Sequence, residues 1–240
     1  MYENSAIALC AKMPRCALVR EFAACDTLMQ ESTEEAEIGM KQILIRDAVL
    51  EDAPRLAEIY DYYVRNTAIT FECHSPSAEE FRGRMAHTME KYPYLVVLSG
   101  SRVAGYAYAG PLNVREAYDW ACEMTIYLDP EARHAGLGGR LYGALEEALR
   151  RMGILNLYAC IGYPEQKDAH LTRNSAQFHE HLGYSLCGRF RRCGYKFGTW
   201  YDMIWMEKII GEHQAAERAI VPYPELLRYD KNFNKRTFAK

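Results

Sequence analysis

The chain has 240 residues, with 29 Lys+Arg against 32 Asp+Glu for a net charge of −3, and it is 49% hydrophobic and 12% aromatic. That balance excludes a disordered chain and lacks the basic excess that nucleic-acid binders set against phosphates; no apolar run approaches the roughly 18 residues of a membrane span. What remains is a soluble, cored protein of 27.6 kDa, an enzyme or a small-molecule binder with neither nucleic acid nor membrane as partner.

The first forty residues show no clean period and end in the acidic stretch Glu31-Ser32-Thr33-Glu34-Glu35-Ala36-Glu37. They read as a weakly ordered extension, 1–40, with Met40 as an alternative start. Lys12, Pro14 and Arg15 interrupt the segment too early for the apolar core of a signal peptide. From Gln42 the elements alternate. Gln42 to Arg46 reads as a strand, and Asp52 with Pro54 opens a helix whose Leu56, Ile59, Tyr60 and Tyr63 make one stripe. Ser77 with Glu80 has the pattern of a capping box, ahead of Phe81, Met85 and Met89 on one face. Tyr94–Ser99 and Arg102–Ala109 are strands about the turn Gly100-Ser101, and Ala121–Leu128 is a third, stopped by Asp129-Pro130.

Leu137–Met152 has the strongest helical period, with Leu141, Leu145, Ala148 and Met152 on one face and Gly153 as its terminator. A buried-type strand follows at Ile154–Ile161, then a short helix at Asn174–Leu182 and strands at Tyr184–Arg191 and Trp200–Glu207. The expected class is α/β in the broad sense: a mixed, mostly antiparallel sheet with flanking helices. The catalytic domain is placed at 41–210, and 211–240, with Pro222, Pro224 and a basic end, is read as a surface arm. The eight cysteines (10, 16, 25, 73, 122, 160, 187 and 193) include no C-x-x-C pair, and no histidine cluster stands at zinc spacing. They are expected to be reduced thiols of a cytoplasmic protein with no metal.

The chemistry concentrates in Asp129-Pro130-Glu131-Ala132-Arg133-His134-Ala135-Gly136-Leu137-Gly138-Gly139. A strand ends, a glycine-bearing loop turns, and a strong helix begins. Such a helix start offers unpaired N–H groups and a partial positive charge to an anion. Gly136 and Gly138 permit close backbone approach, and Arg133 adds a formal charge. A P-loop would require Gly-Lys-Ser/Thr, which is absent, and a dinucleotide fingerprint would require glycine where Leu141 stands.

The remaining pattern, Arg-x-x-Gly-x-Gly, resembles the pyrophosphate loop of the GCN5-related N-acetyltransferase (GNAT) superfamily. Its surroundings are similar to the phosphinothricin N-acetyltransferase-like subfamily. They comprise Ala107-Tyr108-Ala109-Gly110-Pro111, Arg115, Ala117-Tyr118-Asp119-Trp120, Glu123 and Tyr127 upstream, and His179-Glu180-His181-Leu182-Gly183-Tyr184 and Gly194-Tyr195-Lys196-Phe197-Gly198-Thr199-Trp200-Tyr201-Asp202 downstream. Near the start, Asn66-Thr67-Ala68-Ile69-Thr70-Phe71 is similar to that subfamily's substrate-side segment. The resemblance runs from Ile43 to Glu207.

It implies a GNAT fold with a splayed strand pair, acetyl-CoA as cosubstrate, a small amino-acid-like amine as acceptor, and a homodimer. Ile126, Tyr127 and Leu128 would bind pantetheine, and Arg133, His134, Ala135, Gly136, Leu137, Gly138 and Gly139 the pyrophosphate. Thr172, Asn174 and Ser175 are further cofactor candidates; the family's usual Asn falls on Thr172, and Asn174 lies two residues on. Glu123 would serve as base toward an amine that is mostly protonated at neutral pH, and its apolar strand predicts a partly desolvated carboxylate. The alternative is a strand Glu in a surface ion pair. His179 stands where relatives place a proton donor for the thiolate; the alternative is a helix histidine bonded to a carbonyl. Arg115 would anchor an acceptor carboxylate. Asn113 replaces a lysine frequent in the subfamily, which points to a less acidic acceptor. Phe71, Tyr127 and Tyr142 would line the pocket. Other acceptors, such as methionine sulfoximine, methionine sulfone or a protein N-terminus, stand as alternatives, as does a non-catalytic sensor of acetyl-CoA.

Overall fold

The computed structural model describes residues 43–133, 136–214 and 219–229. The expected extension 1–40, the cysteines at 10, 16 and 25, and the site candidates His134 and Ala135 lie outside them. Seven strands form one sheet in the order β1-β2-β3-β4-β5-β7-β6. The strands are β1 Ile43–Asp47, β2 Tyr94–Ser99, β3 Arg102–Pro111, β4 Ala121–Leu128, β5 Asn156–Tyr163, β6 Ser185–Lys196 and β7 Thr199–Ile209. Every neighbouring pair is antiparallel except β4 with β5.

The helices flank this sheet: α1 Ala53–Asn66, α2 Ala78–Met89, α3 Leu137–Met152, α4 Asn174–His181 and α5 Tyr223–Tyr229. Pro54 sits in the first turn of α1, and Ser77 Oγ accepts from the Glu80 N–H at 3.1 Å to start α2. Gly153, at φ 92°, ends α3. Each face of the sheet carries its own apolar cluster. Leu95, Val97, Ala107, Cys122, Met124, Leu157 and Ile161 pack against Leu141, Leu145 and Met152 of α3. On the other face, Tyr94, Val96, Tyr106 and Val103 pack against Leu56, Ile59, Tyr60 and Tyr63 of α1 and Phe81 and Met85 of α2. The period-2 alternation along β3 and β4 makes this division.

Two expectations change. The last two strands are longer than their apolar patterns suggest and meet at a tight turn, with Lys196 opposite Thr199. The segment 211–240, read as a surface arm, has a docked centre: Tyr223 is 4% exposed, donates to Asp47 Oδ1 at 2.7 Å, and its N–H bonds the Lys91 carbonyl. No helix among the described residues is long and apolar enough to cross a membrane.

Candidate active site

The site begins where two strands part. β4 pairs with β5 only over Ala121–Asn156, Cys122–Leu157 and Glu123–Tyr158. Beyond Glu123, β4 stays on β3 and β5 stays on β7. The edge of β4 from Met124 to Leu128 therefore has no strand partner on that side. Asp129 donates its N–H to Ala104 of β3, so by alternation the polar backbone groups of Leu128, Ile126 and Met124 point toward the opening. Those of Leu128 are already taken: the Tyr63 hydroxyl accepts from its N–H at 3.3 Å and donates to its carbonyl at 2.6 Å.

Glu123 sits at the fork itself. Its side chain shares a sheet face with Thr125 and Tyr127 of β4 and, by register, with Tyr106 and Tyr108 of β3 and Tyr158 of β5. Cys122, fully buried, faces the α3 side. Burial raises the Glu123 carboxyl pKa, and no cation or hydrogen-bond donor among the described residues pulls it back. The surface-ion-pair alternative is thereby set aside.

The anion loop lies at the far end of β4. Gly136, at φ 71°, turns the chain into α3 and leaves that helix without a side-chain cap. The first-turn N–H groups of Leu137, Gly138 and Gly139 have no partner within the helix. Leu128 and Phe178 crowd the Gly138 Cα, so a Cβ there meets them at 3.3 Å. Arg133 lies over the rings of Tyr62 and Tyr63, at 5.4 and 5.2 Å, and its Nη2 is buried without a hydrogen-bond partner. A buried guanidinium N–H left unmatched costs free energy until an anion meets it. The free strand edge, the uncapped helix and the orphaned donor together suit a phosphate-bearing ligand with an extended amide arm.

On the face that carries Glu123, Thr67–Glu72 lies over the sheet. Phe71 packs against Gly194, where a Cβ would collide with its ring, and against Tyr201 at 6.4 Å between centroids. Lys196, 5% exposed, donates to the carbonyls of Thr67 and Thr70, both at 2.8 Å, and burial lowers its pKa. Tyr60 and Thr70 share a hydrogen bond of 2.8 Å. Arg115 begins a 3-10 turn, 116–118, in the loop that leaves β3 two residues after Gly110, the partner of Glu123. Its side chain is exposed, and the Asn113 amide oxygen accepts from its N–H at 3.3 Å.

Two expected site residues are interior. Tyr142 is fully buried on α3 and does not line a pocket. His179, expected as a proton donor, is 5% exposed, with Nδ1 2.7 Å from the Ser175 carbonyl and Nε2 3.0 Å from the Tyr142 hydroxyl. The carbonyl fixes the proton on Nδ1, so Nε2 accepts from Tyr142. Burial lowers the imidazole pKa, and the geometry is that of the carbonyl-bonded helix histidine. Thr172 Oγ1 accepts from the Asn174 N–H at 3.4 Å, a local turn at the start of α4, and both residues are exposed. Tyr63 and the Glu72–Arg84 pair carry no site signal in the sequence, and Lys196 falls there only inside the subfamily-like run Gly194–Asp202; their roles depend on which loop carbonyl or strand end lies above them. A cavity of about 200 Å³ between Trp120, Leu155, Asn156 and His213 is too small for a nucleotide-sized ligand.

The fold and fork define an acyl-transferring enzyme of one superfamily. Residues 45–205 match the family model described as an acetyltransferase (GNAT) domain. The chain belongs to the GNAT acetyltransferases. It is similar to phosphinothricin N-acetyltransferase from Streptomyces viridochromogenes, 31% identical over 186 residues that cover 78% of this chain and 97% of that protein. It is also similar to the L-methionine sulfoximine/L-methionine sulfone acetyltransferase of Pseudomonas paraeruginosa, 33% identical over 68% of this chain and 92% of that one. Among solved structures, the phosphinothricin acetyltransferase of Sinorhizobium meliloti in complex with AcCoA matches with a TM-score of 0.68 and 34% identity, covering 76% of this chain and 96% of that chain. The protein is an acetyltransferase with the GNAT sheet and flanking helices.

Proposed function

We propose that this protein transfers the acetyl group of acetyl-CoA to the amine of a small amino-acid-like acceptor, by direct attack within a ternary complex. The observation that carries the reading is the fork at Glu123, where a desolvated carboxylate adjoins a strand edge with free backbone groups. Glu123 takes the proton that makes the amine nucleophilic; its raised pKa makes it a stronger base than an exposed carboxylate. The backbone groups of Met124 and Ile126 hold the pantetheine amides and polarise the thioester oxygen. Arg133 and the N–H groups of Leu137–Gly139, with Gly136 as the turn, hold the pyrophosphate, and His134 and Ala135 belong to the same loop. Thr172, Asn174 and Ser175 flank that groove as further cofactor contacts. The amine gives up one proton and the leaving sulfur takes one, so the transfer balances with no covalent enzyme intermediate and no metal.

Arg115, with Asn113 beside it, holds the acceptor carboxylate, and Phe71 closes the pocket. The acceptor is phosphinothricin-like, with methionine sulfone and sulfoximine as neighbouring choices, consistent with the names of the relatives. The protein works as a homodimer. β6 is an edge strand on which Leu186, Phe190 and Tyr195 are 61%, 52% and 57% exposed, and Trp200 on β7 is 60% exposed. An apolar edge of this kind is ordinarily covered, and a second copy covers it symmetrically. The unpaired thiols at 73, 122, 160, 187 and 193 suit a cytoplasmic setting.

The deciding experiment follows thiol release from acetyl-CoA with a panel of amino-acid analogues, phosphinothricin included. Glu123→Gln is expected to lower turnover about 10²–10⁴-fold while acetyl-CoA binds as before. In the wild type, kcat/KM rises with pH through a value above the ordinary carboxylate range, as Glu123 ionises. A wild type that binds acetyl-CoA and acetylates no amine would instead be a sensor of the cofactor.

A further inference from the structure

Helix α1 adjoins the anion loop and supplies residues there that the chemistry above does not use. Arg55 and Tyr62 stand seven residues apart, on one stripe of the helix. Arg55 pairs with Asp129, the residue that opens the loop, and donates through Nε to the Val103 carbonyl at 3.2 Å. Arg102 pairs with the same carboxylate at 2.9 Å. Asp129 Oδ1 in turn accepts from the Glu131 N–H at 3.0 Å, which fixes the 3-10 turn Pro130–Ala132 that delivers Arg133. That lock sets the backbone. The Arg133 side chain is held by other means.

Two consecutive rings do this. Tyr62 and Tyr63 meet edge to face, 89° apart with centroids at 5.6 Å, and so form a corner. The Arg133 guanidinium lies over both, at 5.4 and 5.2 Å. The Tyr63 wall is fixed by its own contacts, the hydroxyl on Leu128 and an edge-on packing against Tyr127 at 4.9 Å. The Tyr62 wall differs. Its ring is 37% exposed, so core packing does not account for a tyrosine there. A guanidinium stacked on aromatic faces keeps its N–H groups at the rim for an anion, and Arg133 Nη2 is the donor left without a partner.

We infer that Tyr62 is a positioning residue for diphosphate recognition: with Tyr63 it holds the Arg133 guanidinium face-on, so that Nη2 meets the anion without a search over rotamers. The inference rests on the acetyl-CoA reading of the loop and adds to it the residue that orients its arginine. An arginine ordered before its ligand arrives loses less side-chain entropy on binding, and the affinity for the diphosphate gains accordingly. The face of the Tyr62 ring does this work, and its hydroxyl is not needed. A pantetheine arm on the strand edge is indifferent to the corner.

The test measures Kd on the full-length chain for acetyl-CoA and for S-acetylpantetheine, which lacks the diphosphate. Tyr62→Leu is expected to weaken acetyl-CoA binding about tenfold, the scale of one partly desolvated cation–π contact, and to leave S-acetylpantetheine unchanged. Tyr62→Phe keeps an aromatic face and is expected to bind acetyl-CoA as the wild type does. In an Arg133→Ala background, Tyr62→Leu is expected to add no further loss. An unchanged Kd for acetyl-CoA in Tyr62→Leu, an equal loss for both ligands, Tyr62→Phe as weak as Tyr62→Leu, or a full loss that persists without Arg133 overturns this inference alone. A wild type that binds no acetyl-CoA overturns it together with the acetyl-transfer reading.

Discussion

Glu123 and His179 are both enclosed titratable side chains, and burial moves their pKa values in opposite directions. For the carboxyl, enclosure favours the protonated form and raises basicity; for the imidazole, it favours the neutral form and removes the charge a proton donor would need. The consequence for His179 is measurable as stability. Its folded pKa lies below the ordinary value near 6.5, so the unfolded chain binds a proton first as the solution is acidified. Stability is then full above about 6.5 and falls as pH drops through the folded value. His179→Gln is expected to flatten the change in melting temperature as pH falls below about 6.5, whatever it does to stability at neutral pH. An unaltered slope would mean that His179 is charged or solvated in the folded chain. The sequence made Glu123 readable because a lone carboxylate interrupts an apolar strand. It left His179 open, since the pattern Ser-x-x-x-His suits a donor as well as a histidine bonded back to its own helix.

At the scale of elements, β4 and α3 keep the bounds that their patterns give, Ala121–Leu128 and Leu137–Met152. Both are bounded by strong local signals: Asp129-Pro130 stops the strand, and Gly136 and Gly153 bracket the helix. The β6–β7 hairpin was harder to read. β6 is exposed along most of its length, so it lacks the alternation that marks a half-buried strand, and a shifted register between Phe190 and Gly194 breaks its period. Asp202 holds that irregularity, accepting from the Arg192 N–H at 2.8 Å and pairing with Arg189. The same hairpin carries Lys196 to the underside of the Thr67–Glu72 segment. A buried ammonium that holds two loop carbonyls positions that loop. Lys196→Met is therefore expected to raise KM for the acceptor about tenfold, on the scale of lost charged hydrogen bonds, and to leave the Kd for acetyl-CoA unchanged. Equal losses in both would show a general collapse of the sheet.

For the molecule as a whole, the fold class and the order of elements were legible from residue 43 to residue 209, because alternation and helical period survive wherever one face is buried. The last docked helix was not: Tyr223–Tyr229 has only seven residues, too few to show a period. Its anchors are tertiary, namely Val221 N–H to the Met152 carbonyl and Tyr223 to Lys91 and Asp47. The apolar edge formed by Phe190, Tyr195 and Trp200 belongs to this scale too, since it concerns what lies outside one chain. A homodimer is expected in sedimentation equilibrium, and Trp200→Glu with Phe190→Glu is expected to shift it to monomer. A wild type that sediments as a monomer at micromolar concentration removes the proposal.

The Tyr63 phenol on Leu128 sets a ruler on the open strand edge. Ile126 presents its N–H and carbonyl there and Met124 its carbonyl, the Met124 N–H being taken by Tyr158 at the last β4–β5 pair; that is two residues, or roughly 7 Å of strand. An arm carrying a pair of amides fits that span. A polypeptide seeking to lie alongside as an eighth strand would run out of partners at the phenol, so the gap that admits a thin ligand also keeps the sheet from recruiting other chains.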